Sequence, residues 1–132
     1  NLTSNDVILG VSGDRHPFSA YRKYNVPMAF STDDEGVSRI DLTHEYQRAV
    51  ETYSLSYKDL KYFSRNALAY SFIAGESLLD HNRRDGFVEV CEKSRPGKKI
   101  ASASCQHFLE ENEKAHWQWN LEERFYRFES EF

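Results

Sequence analysis

The sequence predicts an α/β fold in which a short buried strand is followed by a mostly helical chain. Residues 26–30 form a brief β-compatible run bounded by turn-forming residues, which is typical of a buried strand. Residues 42–53 carry apolar side chains at spacings of three and four, which predicts an amphipathic helix. The last part of the chain repeats the helical spacing with aromatic side chains. These observations together predict a chain that combines a buried strand with helices.

The segments before this strand are short. Residues 1–5 are interpreted as the exit of a preceding strand. His16 and Pro17 open the next helix, because proline lacks only an N–H that the first helical turn leaves unpaired. Phe18 and Tyr21 continue that helix at a spacing of three. His16 is therefore interpreted as a helix-start residue rather than a metal ligand.

The segments after the strand are predicted to be helical. Asp41 or Thr43 can cap the helix over residues 42–53, because their side-chain oxygens accept amides that the first turn leaves unpaired. Ser56 and Asp59 stand three positions apart and approximate a capping box, with aspartate in place of the usual glutamate. A second helix is therefore expected to begin there.

The second helix is expected to reach about residue 73 and to end at Gly75. Residues 76–99 are predicted to contain a short helix and a connection, and residues 100–111 a further helix. The last helix is the most regular segment, and its apolar side chains form one stripe. The members of this stripe are Trp117, Leu121, Phe125, Phe128 and Phe132. Such a helix is expected to serve packing and not chemistry.

Composition narrows the classes of function. The 132 residues carry a net charge of −4 with a pI near 5.7, which argues against a nucleic-acid partner because such proteins present a basic face. No apolar run is long enough to cross a membrane. Cys91 and Cys105 are too few and too far apart for a disulfide framework, so two reduced thiols are expected. The sequence assigns no location, and we favour a cytoplasmic protein over an exported one.

An acidic motif follows the predicted strand directly. Ser31 and Thr32 are followed by three consecutive carboxylates, of which Asp33 and Asp34 come first. Successive side chains of an extended backbone point to opposite sides, so one carboxylate can hold an ion while the other contacts a different group. A strand that runs out into a solvated acidic turn is the alternative interpretation of the same residues.

This motif and those after it resemble the end of the adenosine deaminase family. The matching segments, in order, are Ser31-Thr32-Asp33-Asp34, Leu42-Thr43-His44-Glu45-Tyr46, Tyr53-Ser54-Leu55-Ser56-Tyr57-Lys58-Asp59-Leu60-Lys61, Ser64-Arg65-Asn66-Ala67 and Ser71-Phe72. The resemblance implies the C-terminal part of a (β/α)8 TIM barrel, with its last one or two strands. Residues 1–75 would then end the barrel, and residues 76–132 would form a helical extension packed on it. A complete barrel needs about 250 residues.

The resemblance also implies the site residues. Asp33 matches the carboxylate that binds the catalytic Zn²⁺ and lies near its water, and Asp34 matches the residue that hydrogen-bonds the purine ring. Ser4 and Asn5 would either line the mouth of the site or only shape a turn. The family's other ligands and its general-acid glutamate are expected to lie upstream of Asn1. The five histidines here do not replace those ligands, because they show no His-x-His spacing. The chain alone is therefore not expected to deaminate anything.

One departure from the family pattern leaves the substrate open. Family members commonly have proline after the paired aspartates, whereas Glu35 and Gly36 follow here. Adenosine is the expected substrate, and adenine or a modified purine handled by another amidohydrolase-type deaminase is the alternative. A non-catalytic helical interaction module is the third hypothesis. The expected partners are a purine nucleoside and either the N-terminal part of the same protein or a second copy.

Overall fold

The computed structural model describes residues 1–80, 86–98 and 102–132, and the regular structure in those ranges is helical. The α-helices are α1 (Leu2–Leu9), α2 (Phe18–Lys23), α3 (Glu35–Ser38), α4 (Leu42–Tyr53), α5 (Tyr57–Ala69), α6 (Ala103–Glu111) and α7 (Glu113–Glu131). Short 3₁₀ turns occupy Gly13–Arg15 and Glu89–Cys91. The chain divides into two compact units, Asn1–Ala67 and Leu68–Phe132.

The prediction of an α/β fold with the last strands of a TIM barrel is wrong for this chain. The described ranges contain no β-strand, and residues 26–30 are extended without a ladder. A strand is defined by its pairing, and Pro27 has no N–H to offer a neighbouring strand. The Met28 carbonyl instead accepts the Asn66 side-chain amide at 2.8 Å. The predicted strand is therefore a packed coil segment held by a helix.

The beginning of the chain also differs from the expected strand exit. Residues 2–9 form α1, and Gly10 ends this helix in the left-handed conformation with φ of 65°. A glycine adopts that conformation at little steric cost, which is why it commonly terminates helices. The apolar side chains of Val7, Ile8 and Leu9 are exposed on α1.

Aromatic rings dominate the core of the first unit. Phe18 from α2, Phe30 from the coil segment and Phe63 from α5 are each at most 7% exposed. The ring centroids of Phe18 and Phe30 lie 5.7 Å apart, and those of Phe30 and Phe63 lie 4.9 Å apart. Such aromatic pairs add to the burial of apolar area. The apolar character of residues 26–30 therefore reflects the burial of Phe30 and not a sheet.

The caps of α4 and α5 are confirmed. The Asp41 side chain accepts the His44 amide at 2.8 Å. Ser56 and Asp59 form the reciprocal pair of a capping box, since the Ser56 amide donates to Asp59 at 2.9 Å and the Asp59 amide donates to the Ser56 hydroxyl at 3.3 Å. The prediction for Gly75 is wrong, because α5 ends at Ala69.

Gly75 has a different role in the second unit. Its φ is 93°, and a Cβ placed on it would lie 2.7 Å from the Cα of Asn112. Asn112 in turn accepts the Glu76 amide on its side chain at 2.7 Å. A glycine is therefore required where the chain passes close to the start of α7.

The prediction of two reduced thiols is wrong. Cys91 and Cys105 form a disulfide, and both residues are fully buried. The number and spacing of the cysteines gave no indication of the disulfide, because two cysteines pair only where the fold brings them close together. The disulfide belongs to the core of the second unit. The other buried members of this core are Leu78, Leu109, Ala115 and Trp119.

The last helix forms as predicted but buries a different face. Trp117, Phe128 and Phe132 are 47%, 48% and 92% exposed, although they belong to the predicted packing stripe. The buried positions of α7 are Ala115, Gln118, Trp119 and Glu122. This face is specified by a hydrogen bond as well as by apolar contact, since Gln118 accepts the Leu78 amide at 2.7 Å. No helix in the described ranges combines the length and apolarity needed to span a bilayer.

Candidate functional site

Asp33 lies at the turn that leads from the coil segment into α3. Its backbone is left-handed, with φ of 58°, a conformation that aspartate tolerates better than most residues. The residue is exposed, and its Oδ2 accepts the Ser4 hydroxyl at 2.7 Å. The neighbouring Ser31 hydroxyl donates to the side-chain oxygen of Asn1. The acidic motif is thus tied at two points to the beginning of the chain.

Asp34 lies at the N-cap position of α3 and is exposed. Its carbonyl accepts the Ser38 amide at 2.8 Å, but its side chain makes no capping bond to the helix. The two carboxylates therefore differ in role. The side chain of Asp33 is held by a hydroxyl, whereas that of Asp34 is not used to cap α3.

The position of Ser4 is set by a buried carboxylate on α4. Glu45 is completely buried, and it accepts the Leu2 amide at 2.8 Å and the Thr3 amide at 3.1 Å. Both amides belong to the first turn of α1, where backbone N–H groups have no intrahelical acceptor. A negative charge at this end also interacts favourably with the helix dipole. Glu45 therefore holds the turn that carries Ser4, which is itself 2% exposed.

A second contact joins α1 to α4. Arg48 forms an ion pair with Asp6 and donates to the Thr3 hydroxyl at 3.3 Å. The hydrogen bond from Arg48 lowers the pKa of the Asp6 carboxyl below its ordinary value. Glu45 and Arg48 stand three positions apart on α4, so one face of this helix contacts α1 through both charges.

His16 connects α1 to the start of α2. Its Nδ1 accepts the Phe18 amide at 3.1 Å, so the neutral ring carries its proton on Nε2. Nε2 lies 2.8 Å from the end of the Asn5 side-chain amide, and the amide oxygen is the atom of that group that can accept the proton. Burial lowers the pKa of His16, which favours the neutral ring. The interpretation of His16 as a helix-start residue is confirmed.

A cavity of about 230 Å³ lies beside this network but does not include the acidic motif. Its lining residues include Ser12, His16, Arg48 and Tyr53. The volume is below the range of about 300–1,000 Å³ that is usual for ligand pockets. The cavity and the two carboxylates are therefore separate features of the first unit.

A sequence model described as adenosine deaminase matches residues 3–83, which is more than half of the chain. The chain belongs to the adenosine deaminase family. It is 33% identical over 63 residues to an adenosine deaminase of Clostridium perfringens, a match that covers 48% of this chain and 19% of the relative. The adenosine deaminase of a second Clostridium perfringens strain is 34% identical over 61 residues, covering 46% of this chain and 18% of the relative.

An adenosine deaminase of Shewanella loihica is 33% identical over 63 residues, covering 48% of this chain and 19% of the relative. The chain therefore spans about one fifth of the length of the curated relatives that it matches. No solved structure matches the chain.

Asp33 is of a type that binds zinc, but the described residues offer too few ligands for a complete zinc site. Asp33 is a carboxylate, which is a suitable zinc ligand. No group of three or more His, Cys, Asp or Glu residues that could hold an ion occurs in the described parts of the chain. Catalytic zinc usually takes three protein ligands. The described residues therefore do not form a complete zinc site by themselves, and Asp33 can supply one ligand at most.

The four described histidines are divided between the two units, with His16 and His44 in the first and His107 and His116 in the second. His16 joins α1 to α2 as described, and His107 lies 3.3 Å from Glu111 on an exposed turn of α6. His116 lies beside Trp117 on α7, in the second unit. His81 lies outside the described residues.

Sequence reasoning missed the roles of Ser4 and Glu45. Ser4 was expected to line a pocket or shape a turn, and Glu45 was noted only as part of a family motif. A signal for Glu45 was present, because it stands four positions before Ala49, a member of the predicted apolar face of this helix. A charged residue on a buried face must have partners, since burial of an unpaired charge is prohibitively costly.

Proposed function

We propose that this chain is the C-terminal portion of a zinc-dependent adenosine deaminase, which hydrolyses adenosine to inosine and ammonia. The carrying observation is the match over residues 3–83, which contains the paired aspartates. The chain covers 19% of its Clostridium perfringens relative, so most of the catalytic residues would come from an N-terminal part. That part is the proposed partner, and a second copy of the chain is the alternative. Exposed Val7, Ile8 and Leu9 give α1 an apolar surface for such a contact.

In this proposal Asp33 supplies one carboxylate ligand. Its hydrogen bond from Ser4 restricts the side chain, and a restricted ligand loses less rotamer entropy when it binds an ion. Zinc, held together with ligands from the N-terminal part, would supply the activated water for hydrolysis.

Asp34 is proposed to contact the purine ring by a hydrogen bond. The Asp34 side chain is exposed and does not cap α3, so it is available to bind a ligand. Glu35 follows it and adds a second charge in the first turn of α3. Because Glu35 stands where family members commonly have proline, adenine and a modified purine remain the second candidate substrates of the same site.

The test uses the whole protein that carries this chain. Zinc content is measured by elemental analysis, and ammonia release is measured with adenosine, adenine and a modified purine nucleoside. Wild-type protein is expected to hold zinc and to deaminate adenosine, whereas Asp33→Ala should lose both properties. Asp14→Ala is the matched control, because Asp14 is an exposed aspartate of the same unit that lies outside the acidic motif. Unchanged zinc content and ammonia release in Asp33→Ala would refute the proposal. Zinc binding without turnover of any purine would favour another hydrolase.

A further inference from the structure

On the basis of the function proposed above, we propose that Ser4 is a positioning residue, which fixes the Asp33 carboxylate in the orientation that the site requires. Its hydroxyl donates to Asp33 Oδ2 at 2.7 Å. This is a charge-assisted bond, and bonds of this class are shorter and stronger than neutral ones. The bond engages one of the two oxygens of the Asp33 carboxylate. A bond to that one oxygen is enough for Ser4 to orient the carboxylate.

Asp33 needs such a bond because its surroundings do not fix it otherwise. The residue is exposed at a turn, where a carboxylate would sample several rotamers. Groups that hydrogen-bond a metal ligand from behind orient it, and their removal typically costs about 10- to 100-fold in metal affinity or activity. The hydroxyl of Ser4 meets Asp33 from the protein side, since Ser4 is 2% exposed.

Ser4 can restrain Asp33 only if Ser4 is itself immobile. Glu45 provides this, because it accepts the Leu2 and Thr3 amides next to Ser4 in α1. Ser4 and Asp33 are 29 positions apart in sequence, and Thr3 and Glu45 are 42 positions apart. The contacts thus link α4, α1 and the acidic motif in one hydrogen-bonded series. Glu45 is completely buried, so this series begins in the core of the first unit.

A purely structural role for Ser4 makes different predictions. If the hydroxyl only satisfied a buried polar group, Ser4→Ala would lower the melting temperature and leave the folded protein with wild-type kinetics. A positioning role requires the opposite pattern. The folded variant should lose kcat/KM and release zinc faster, with a melting temperature close to that of the wild type.

The experiment compares three variants of the whole protein, each isolated as its folded fraction by size exclusion. Ser4→Ala removes the hydroxyl, Ser4→Thr retains it, and Ser38→Ala is the control. Ser38 is a suitable control because its hydroxyl is buried near the acidic motif and has no hydrogen-bond acceptor in the described structure. The readouts are kcat, KM, the melting temperature and the rate of zinc transfer to a chelator in excess.

Ser4→Ala is expected to lower kcat/KM by about 10- to 100-fold and to accelerate zinc transfer. Ser4→Thr should recover most of both quantities, and Ser38→Ala should match the wild type. If Asp33→Ala is inactive while Ser4→Ala keeps wild-type kcat/KM and zinc transfer, the positioning role is wrong and the proposed function stands. If Asp33→Ala keeps zinc and activity, the proposed function fails, and the role of Ser4 is overturned with it.

Discussion

Replacement of Glu45 by glutamine tests the contact that holds α1 on α4. The substitution keeps the shape of the side chain but replaces one carboxylate oxygen by an NH₂ group. The wild-type carboxylate accepts two buried backbone amides, at 2.8 Å from Leu2 and 3.1 Å from Thr3. In Glu45→Gln an oxygen at the Oε2 position still accepts the Leu2 amide, while the Thr3 amide faces the NH₂ group and keeps only its 3.4 Å approach to that oxygen. The change therefore affects hydrogen bonding with almost no effect on packing volume.

The expected loss follows from these two bonds. A hydrogen bond to a charged group contributes about 1.5–3 kcal/mol and a neutral one about 1 kcal/mol, and a buried donor without an acceptor costs about 1–3 kcal/mol. Weakening the Leu2 bond and leaving the Thr3 amide with only a long contact to its acceptor should lower the free energy of unfolding by about 2–4 kcal/mol. That is a large share of the roughly 5–15 kcal/mol typical of a folded domain.

Urea unfolding of the chain measures this loss. Both tryptophans, Trp117 and Trp119, lie in the second unit, so their fluorescence reports that unit, whereas helix circular dichroism reports both. The loss should appear as a lower urea midpoint of the dichroism transition. Glu51→Gln is the matched control on the same helix, because Glu51 is exposed and, among the described residues, accepts the Gln47 side chain at 2.9 Å rather than a buried backbone amide. The control should change stability by less than about 0.5 kcal/mol.

The reasoning is refuted if Glu45→Gln and Glu51→Gln unfold at the same urea concentration. Hydrogen exchange provides an independent check, since the Leu2 and Thr3 amides should exchange faster only in Glu45→Gln. If Glu45→Gln is destabilised but these two amides exchange at the wild-type rate, the loss of stability arises elsewhere in the chain.

Two further predictions concern the neighbouring aspartate and the disulfide. Asp34→Asn in the whole protein should leave zinc content unchanged and lower kcat/KM by about 1.5–3 kcal/mol, about 10- to 150-fold, because it weakens a charge-assisted bond to the substrate and not the binding of the ion. Loss of zinc in this variant would mean that the roles of Asp33 and Asp34 are reversed. Reduction of the disulfide between Cys91 and Cys105, which are 14 positions apart, should lower the free energy of unfolding of the second unit by about 3 kcal/mol, measured by tryptophan fluorescence. The double variant Cys91→Ala with Cys105→Ala should not respond to reductant, and an unchanged wild-type transition after complete reduction would contradict the prediction.

The parts of the fold that could be predicted are those encoded by neighbouring residues. The bounds of α4 were predicted as Leu42–Tyr53 from apolar spacing, and its cap Asp41 was one of two candidates. The capping box of Ser56 and Asp59 was also predicted, because its donors and acceptors lie within one turn. Helix signals of this kind need no knowledge of the rest of the chain.

The fold class could not be obtained in the same way. A short apolar run predicts burial, but it does not distinguish a strand from a packed coil. Phe30 is indeed buried, whereas the ladder that would make residues 26–30 a strand is absent from the described structure. Pro27 was the local warning, since a proline within a run argues against a central strand. The disulfide of Cys91 and Cys105 was missed for a related reason, because pairing depends on which segments the fold brings together.

The candidate site shows the same division between local and distant information. Asp33 and Asp34 were identified from a local motif, and their roles remain predictions. The bond from Ser4 to Asp33 could not be predicted, because residues 1–5 were interpreted as a strand exit and not as the first turn of a helix. Yet Glu45 occupies the buried face of α4, and a buried carboxylate requires donors from elsewhere in the chain. A helix N-terminus offers several adjacent donors, because its first N–H groups have no intrahelical acceptor. A buried acid on a predicted helix is therefore evidence that a second helix begins beside it, even when the sequence of that second helix has too weak a periodicity to be recognised.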